Sequence, residues 1–202
     1  MSLHATLALL SLATTTVPVP AAPTPVTAPA DSACPVLLPD QVPVKGRQSP
    51  LDSLTFTAGQ QTVKLCYGRP SARGRTMIGG QNIPYGKLWR TGANEPTVIF
   101  TPVALEIAGV RVQPGKYSLY AVPGEKEWEV IVNRSTSQWG HENAYTDEVK
   151  AQEVGRGKAP AEKLGKPVET FTITPHPATG EVQHLYLDWE RTRVVIPVKA
   201  AG

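Results

Sequence analysis

The sequence has little net charge, only two cysteines and no apolar run of membrane-spanning length. The formal net charge is +3 over 202 residues. Proteins that bind nucleic acid usually gather basic residues along one face or helix, whereas the Lys and Arg residues here are scattered through predicted turns. The composition therefore argues against nucleic acid as a partner.

The apolar run at the N-terminus covers residues 5–13. It is shorter than the roughly 20 residues that a membrane-spanning helix needs, and small residues and prolines follow it. This pattern predicts a signal peptide over residues 1–22 and export to the periplasm or the extracellular space, with no transmembrane span in the mature chain. Only His4 precedes the run as a basic residue, so the signal is unusual, and a disordered tail is the alternative.

Residues 23–50 are rich in Pro, Ala, Thr and Val without alternation, which predicts an extended linker. Cys34 within it follows a loose lipoprotein-type box, but Asp31 stands where an apolar residue is expected, so we do not expect a lipid anchor. In an exported chain, Cys34 and Cys66 form the candidate disulfide. The alternative is that Cys66 is simply a small buried apolar residue.

Beyond Pro50 the sequence shows short alternating runs separated by turn residues, and no helix of three turns is evident. This pattern predicts one all-β domain over residues 51–199, an antiparallel β-sandwich of jelly-roll-like type. The predicted strands are 53–57, 62–67, 97–101, 104–108, 117–122, 128–133, 168–174, 184–189 and 193–198.

Two further predictions concern local structure. Alternation in residues 184–189 places Leu185, Leu187 and Trp189 on one face and the intervening polar residues on the other. Residues 134–166 break the regular pattern and are predicted as a long loop, of a length that is often functional or mobile.

Chemically distinctive residues concentrate between Arg75 and Glu95, ending in an unbroken Trp-Arg-Thr-Gly-Ala-Asn-Glu run over residues 89–95. Together with other short motifs, this run resembles the bacterial domain-of-unknown-function 2911 family over residues 50–199. The resemblance implies an exported β-rich protein and no particular activity. The other motifs are Gly68-Arg69-Pro70, Gly74-Arg75, Pro84-Tyr85-Gly86, Pro114-Gly115-Lys116-Tyr117-Ser118-Leu119 and Trp189-Glu190.

The segment combines side chains that could bind a ligand. Arg90 can grip a carboxylate or phosphate with two hydrogen bonds, and an aromatic side chain can stack on a sugar. The structural alternative is that Trp89 belongs to the core, Arg90 pairs with Glu95 or Glu190, and Asn94 satisfies turn backbone groups. The candidate ligand-binding residues are Arg75, Tyr85, Trp89, Arg90, Asn94 and Glu95, with Trp139, His141 and Tyr145 from the long loop.

The sequence contains few motifs that indicate catalysis. The chain has no Gly-x-Ser-x-Gly nucleophile elbow, and no cofactor or metal site is predicted. Glu95 and Glu190, each close to a tryptophan, are the carboxylate pair to test for glycosidase chemistry. We therefore expect a non-enzymatic binding or structural module of the cell envelope, contacting a small molecule or an envelope saccharide. The alternative is a periplasmic hydrolase that uses Glu95 or His141 as general base.

Overall fold

The structure is a computed structural model that describes residues 32–202. Within this range the protein is all-β and antiparallel, as predicted, and its helical content is one four-residue α-helix and one 3₁₀ turn. The elements are β1 (Leu51–Ala58), β2 (Gln61–Gly68), β3 (Thr97–Thr101), β4 (Leu105–Ile107), β5 (Val110–Val112), β6 (Gly115–Val122), β7 (Glu127–Asn133), the 3₁₀ turn (Glu142–Ala144), α1 (Asp147–Lys150), β8 (Glu153–Pro177) and β9 (Gln183–Ala200).

Among the described residues the strands form one sheet of nine, in the order β1-β2-β3-β6-β7-β8-β9-β4-β5. The sheet is continuous because β8 pairs with a different strand along each part of its length. Its first part, to Pro160, pairs with β7, and its second part, from Ala161, pairs with β9. The jelly-roll-like sandwich arrangement stays a prediction.

The second half of the predicted long loop is strand, which corrects the sequence analysis. β8 begins at Glu153, so the irregular segment is confined to residues 134–152. Sequence alternation is weak there because glycines occupy inward positions. A Cβ on Gly157 would lie 1.9 Å from the Ala108 carbonyl oxygen, which shows that the β4–β5 turn packs directly on the β8 backbone.

One apolar core joins strands from both ends of the sheet, including Leu65 on β2, Val112 on β5 and Trp189 on β9. The predicted alternation on β9 is confirmed, since Leu185 and Leu187 are buried with Trp189 while the residues between them are half-exposed. The last two predicted strands are one strand, β9. Glu190, which lies between the two predicted strands, has a left-handed backbone with φ of 51°.

The segment before β1 lies against the sheet. Residues 32–50, called the strap below, contain turns but no strand, and the predicted Cys34–Cys66 disulfide joins the strap to β2. The predicted signal peptide lies outside the described residues. No helix formed by residues 32–202 combines the length and the apolar character that crossing a membrane requires.

Candidate functional site

The Trp-Arg-Thr-Gly-Ala-Asn-Glu run forms an irregular loop that leads into β3. Trp89 anchors its start, because its backbone N–H and carbonyl both bond Ala121 on β6 at 2.8 Å. Thr91 and Asn94 adopt left-handed backbone conformations, with φ of 54° and 65°. Non-glycine residues in this region cost free energy and cluster at functional sites, so the loop geometry is maintained against its local preference.

Two glycines from other parts of the chain enclose this loop. A Cβ on Gly68, at the end of β2, would lie 2.0 Å from the Ala93 carbonyl oxygen. A Cβ on Gly140 would lie 2.2 Å from the Asn94 carbonyl oxygen and 2.4 Å from Cδ of Arg90. The loop therefore packs backbone against backbone on both sides, which fixes the position of Arg90.

Glu95 ends the run as a buried ion-pair partner. Arg47 from the strap donates two hydrogen bonds to its carboxylate, at 2.7 and 3.0 Å, and the Leu37 N–H donates a third at 2.9 Å. The side chains of Arg47 and Glu95 are only 2% and 3% exposed. Because it is buried and accepts three hydrogen bonds, Glu95 is a structural anchor for the strap. The sequence analysis missed Arg47 because this residue lies in a low-complexity segment.

A cleft of about 300 Å³ opens beside the run. It gathers four of the candidate residues, Arg75, Trp89, Arg90 and His141, from three separate segments of the chain. Several polar residues that were not among the candidate residues also line the cleft. These are Gln48 and Ser49 from the strap, Asn82, and Glu142.

Arg90 is the charged centre of the cleft. Its side chain is 19% exposed, and its nearest contacts are long, 3.5 Å to the Gly140 carbonyl oxygen and 3.8 Å to Oε1 of Glu142. Its Nε is buried without a hydrogen-bond partner in the described structure. Burial lowers the pKa of the Arg90 guanidinium, because a low-dielectric site disfavours its charged form. An anion in the cleft would supply a close acidic partner for the part of the guanidinium that remains exposed.

The aromatic residues of the cleft form its floor. Trp89 is 4% exposed and packs on Trp128, Phe171 and Trp189, with ring centroids 5.2 to 6.0 Å apart. This matches the structural alternative, in which Trp89 belongs to the core. The tryptophans shape the cleft and offer little surface for a ring to stack on.

The remaining candidate residues lie outside the cleft. Tyr85 is 44% exposed and lines a separate surface depression. Asn94 donates to the Ser49 carbonyl oxygen at 3.1 Å, so its amide ties the run to the strap. Tyr145 donates to Glu153 and packs edge-on against Tyr120, and burial raises its pKa. Trp139 is half-buried in the segment after β7.

The carboxylate pair proposed for glycosidase chemistry has other contacts. Glu190 accepts hydrogen bonds from the backbone N–H groups of Met77 and Ile78, at 3.1 and 2.8 Å, and therefore closes that loop. Within residues 32–202, no three His, Cys, Asp or Glu side chains converge as a metal site. His141 lies 3.8 Å from Glu142 at the edge of the cleft.

Comparison with protein-family models matches residues 49–198 to the family described as "Protein of unknown function (DUF2911)". The chain belongs to the DUF2911 family. The resemblance drawn from the Trp-Arg-Thr-Gly-Ala-Asn-Glu run is thereby confirmed. No curated protein and no solved structure matches the chain.

The DUF2911 match includes every candidate residue from Arg75 to Tyr145. It begins at residue 49, so it leaves out most of the strap. Cys34, Leu37 and Arg47, which hold the strap to the sheet, and Gln48, which lines the cleft, precede the matched region.

Proposed function

We propose that the chain is a non-enzymatic binding module of the cell envelope, and that its cleft holds the anionic group of a saccharide. The observation that carries this proposal is the largely buried guanidinium of Arg90. A buried cation is costly unless it is paired and hydrogen-bonded, and Arg90 has neither a short acidic partner nor an acceptor for its Nε. A carboxylate or phosphate in the cleft would supply the close acidic partner.

The rest of the cleft fits a hydroxylated ligand. Arg75 adds a second guanidinium, Asn82 contributes an amide group, and the Gln48 amide nitrogen can donate, since its oxygen already accepts from Arg73. Sugar hydroxyls are matched donors and acceptors for such groups. The buried tryptophan floor favours recognition by polar contacts over ring stacking.

Export to the periplasm or the extracellular space is part of the proposal. The Cys34–Cys66 disulfide supports it, since disulfides persist in oxidising compartments and are rare in the cytosol. The proposal also keeps the jelly-roll-like sandwich as the description of the scaffold that carries the cleft.

Calorimetric titration of the protein with D-glucuronate, glucose 6-phosphate and neutral D-glucose tests this function. We expect at least one of the anionic sugars to bind and glucose not to bind. Arg90→Gln should weaken binding by roughly 10- to 100-fold, because charge-assisted hydrogen bonds contribute about 1.5 to 3 kcal/mol.

The matched control is Arg193→Gln. Arg193 makes a two-point ion pair with Asp188, at 2.8 and 2.6 Å, and lies outside the cleft. This variant should bind as the parent does. Equal affinity of the Arg90→Gln variant and the parent, or no binding of either anionic sugar, would contradict the proposal.

The hydrolase alternative depends on His141. Glu95 is engaged by Arg47 and Leu37, whereas His141 borders the cleft next to Glu142, an arrangement in which a carboxylate can orient an imidazole. This alternative predicts turnover of an acylated or glycosylated chromogenic substrate that His141→Ala abolishes. Binding without turnover in the parent favours the binding module.

A further inference from the structure

The strap is fastened to the sheet where the candidate cleft opens. We infer that Gln48 and Ser49 form a wall of the ligand site and that the Arg47–Glu95 pair is the latch that holds this wall in place. The inference deepens the proposed function and rests on it for the identity of the ligand. It assigns binding residues to a segment that lies largely before the family match.

The latch has the geometry of a strong ion pair. Both Glu95 oxygens accept from the Arg47 guanidinium, and the side chains are 2% and 3% exposed. The same guanidinium donates to the Val42 carbonyl oxygen at 2.7 and 3.3 Å, so it also closes a turn of the strap. A charge buried this deeply is retained only where its partners are held in position.

Other contacts fasten the strap along its length. The disulfide holds Cys34 to Cys66, and Lys64 donates to the Ser32 carbonyl oxygen at 2.8 Å. Nearer the cleft, the Asn94 amide donates to the Ser49 carbonyl oxygen at 3.1 Å. The strap is therefore anchored on both sides of the latch.

The latch connects directly to the cleft wall. Gln48, the residue after Arg47, lines the cleft, and its side chain accepts from Arg73 at 2.9 Å. Glu95 belongs to the same rigid loop as Arg90. The pair therefore fixes the distance between the strap wall and the Arg90 guanidinium, and opening it would widen the site and admit water around the ligand.

The test uses the double variant Arg47→Met/Glu95→Gln, which removes both charges and so leaves no buried unpaired ion. Its matched control is Arg193→Met/Asp188→Asn, which removes a second two-point pair outside the cleft. The measurements are D-glucuronate and glucose 6-phosphate affinity by calorimetry, and backbone hydrogen exchange over residues 37–49 and 89–97.

We expect the latch variant to bind the sugar that the parent binds about tenfold more weakly, with faster exchange in both segments, while the control matches the parent in both. Equal affinity of the latch variant and the parent would overturn the inference and leave the proposed function intact. If the latch variant does not fold, Gln48→Ala decides, since it keeps the latch. Weaker binding supports a strap wall and unchanged binding overturns it.

Absence of any sugar binding by the parent would overturn the proposed function instead. Hydrogen exchange then decides the inference without a ligand. Faster exchange over residues 89–97 in the latch variant alone supports a latch that positions the Arg90 loop, and unchanged exchange there overturns it.

Discussion

Arg47 has a buried guanidinium and Arg90 a largely buried one, and the two have opposite surroundings. Arg47 meets a carboxylate at two points, whereas the nearest acidic oxygen to Arg90 lies 3.8 Å away on a half-exposed side chain. Water hydrates neither cation fully, so each guanidinium needs an anionic partner to offset its desolvation. Arg47 has this partner in Glu95. This contrast is the residue-scale basis for placing a ligand at Arg90 and a structural role at Arg47.

The buried phenol of Tyr120, on β6, predicts how the stability of the protein depends on pH. Burial raises the pKa of its phenol to about 12, because the phenolate is poorly solvated there, and Gln138 donates to its oxygen at 3.1 Å. A raised pKa stabilises the fold below the unfolded value of about 10 and loses that contribution as pH rises towards 12. The free energy of unfolding should therefore fall between pH 10 and 12.

Tyr120→Phe isolates this contribution. Denaturant unfolding of the variant should show a shallower fall over that range, by on the order of 2 kcal/mol. Other tyrosines and lysines titrate in both proteins, so the difference between them is the informative quantity. Identical pH profiles would show that the Tyr120 phenol is not desolvated as described.

At the scale of elements, β8 makes a close backbone contact with the β4–β5 turn. Gly157→Ala would place a Cβ 1.9 Å from the Ala108 carbonyl oxygen, so the β4–β5 turn must move. We expect a loss of about 1 to 3 kcal/mol in the free energy of unfolding. Gly165→Ala on the same strand is the control, because its added Cβ meets nothing within 4 Å, and it should be nearly neutral. Equal stability of both variants would contradict this packing.

The same strand shows how far the sequence could predict the fold. Strands β3 and β7 were predicted within one residue of their observed bounds. Alternation in residues 184–189 predicted the buried face of β9, but not that this strand continues through Glu190 to Ala200. The first half of β8 was missed, since Gly155 and Gly157 leave the inward positions without side chains. The face that these glycines leave bare packs against the β4–β5 turn, and no local sequence pattern reveals this contact.

The sequence likewise predicted only part of the candidate site, because some of its residues bind distant parts of the chain. The run at residues 89–95 stood out by composition, and its Arg90 does line the cleft. Glu95 and Asn94 belong to the same run but turn towards the strap, because their partners Arg47 and Ser49 are 48 and 45 residues earlier in the chain. Contacts across such distances depend on the fold and carry no signal in the sequence alone.

At the scale of the whole molecule, the disulfide ties the strap to the second strand of the sheet. Closing this loop, with a separation of 32 residues, should stabilise the protein by about 4 kcal/mol on the chain-entropy model. Thermal unfolding of Cys34→Ser/Cys66→Ser should therefore begin at a clearly lower temperature than that of the oxidised parent, and reductant should lower the unfolding temperature of the parent only. If reductant lowers the unfolding temperature of the double variant as much as that of the parent, the effect does not come from this bond.

The central claim is that Arg90 holds an anionic ligand. The most direct test is a nitrogen-15 NMR titration that follows arginine Nε–H resonances as D-glucuronate or glucose 6-phosphate is added. The account predicts that the Arg90 resonance shifts and sharpens on binding while that of Arg193 stays in place. A saturating ligand that leaves the Arg90 resonance unmoved would contradict the claim.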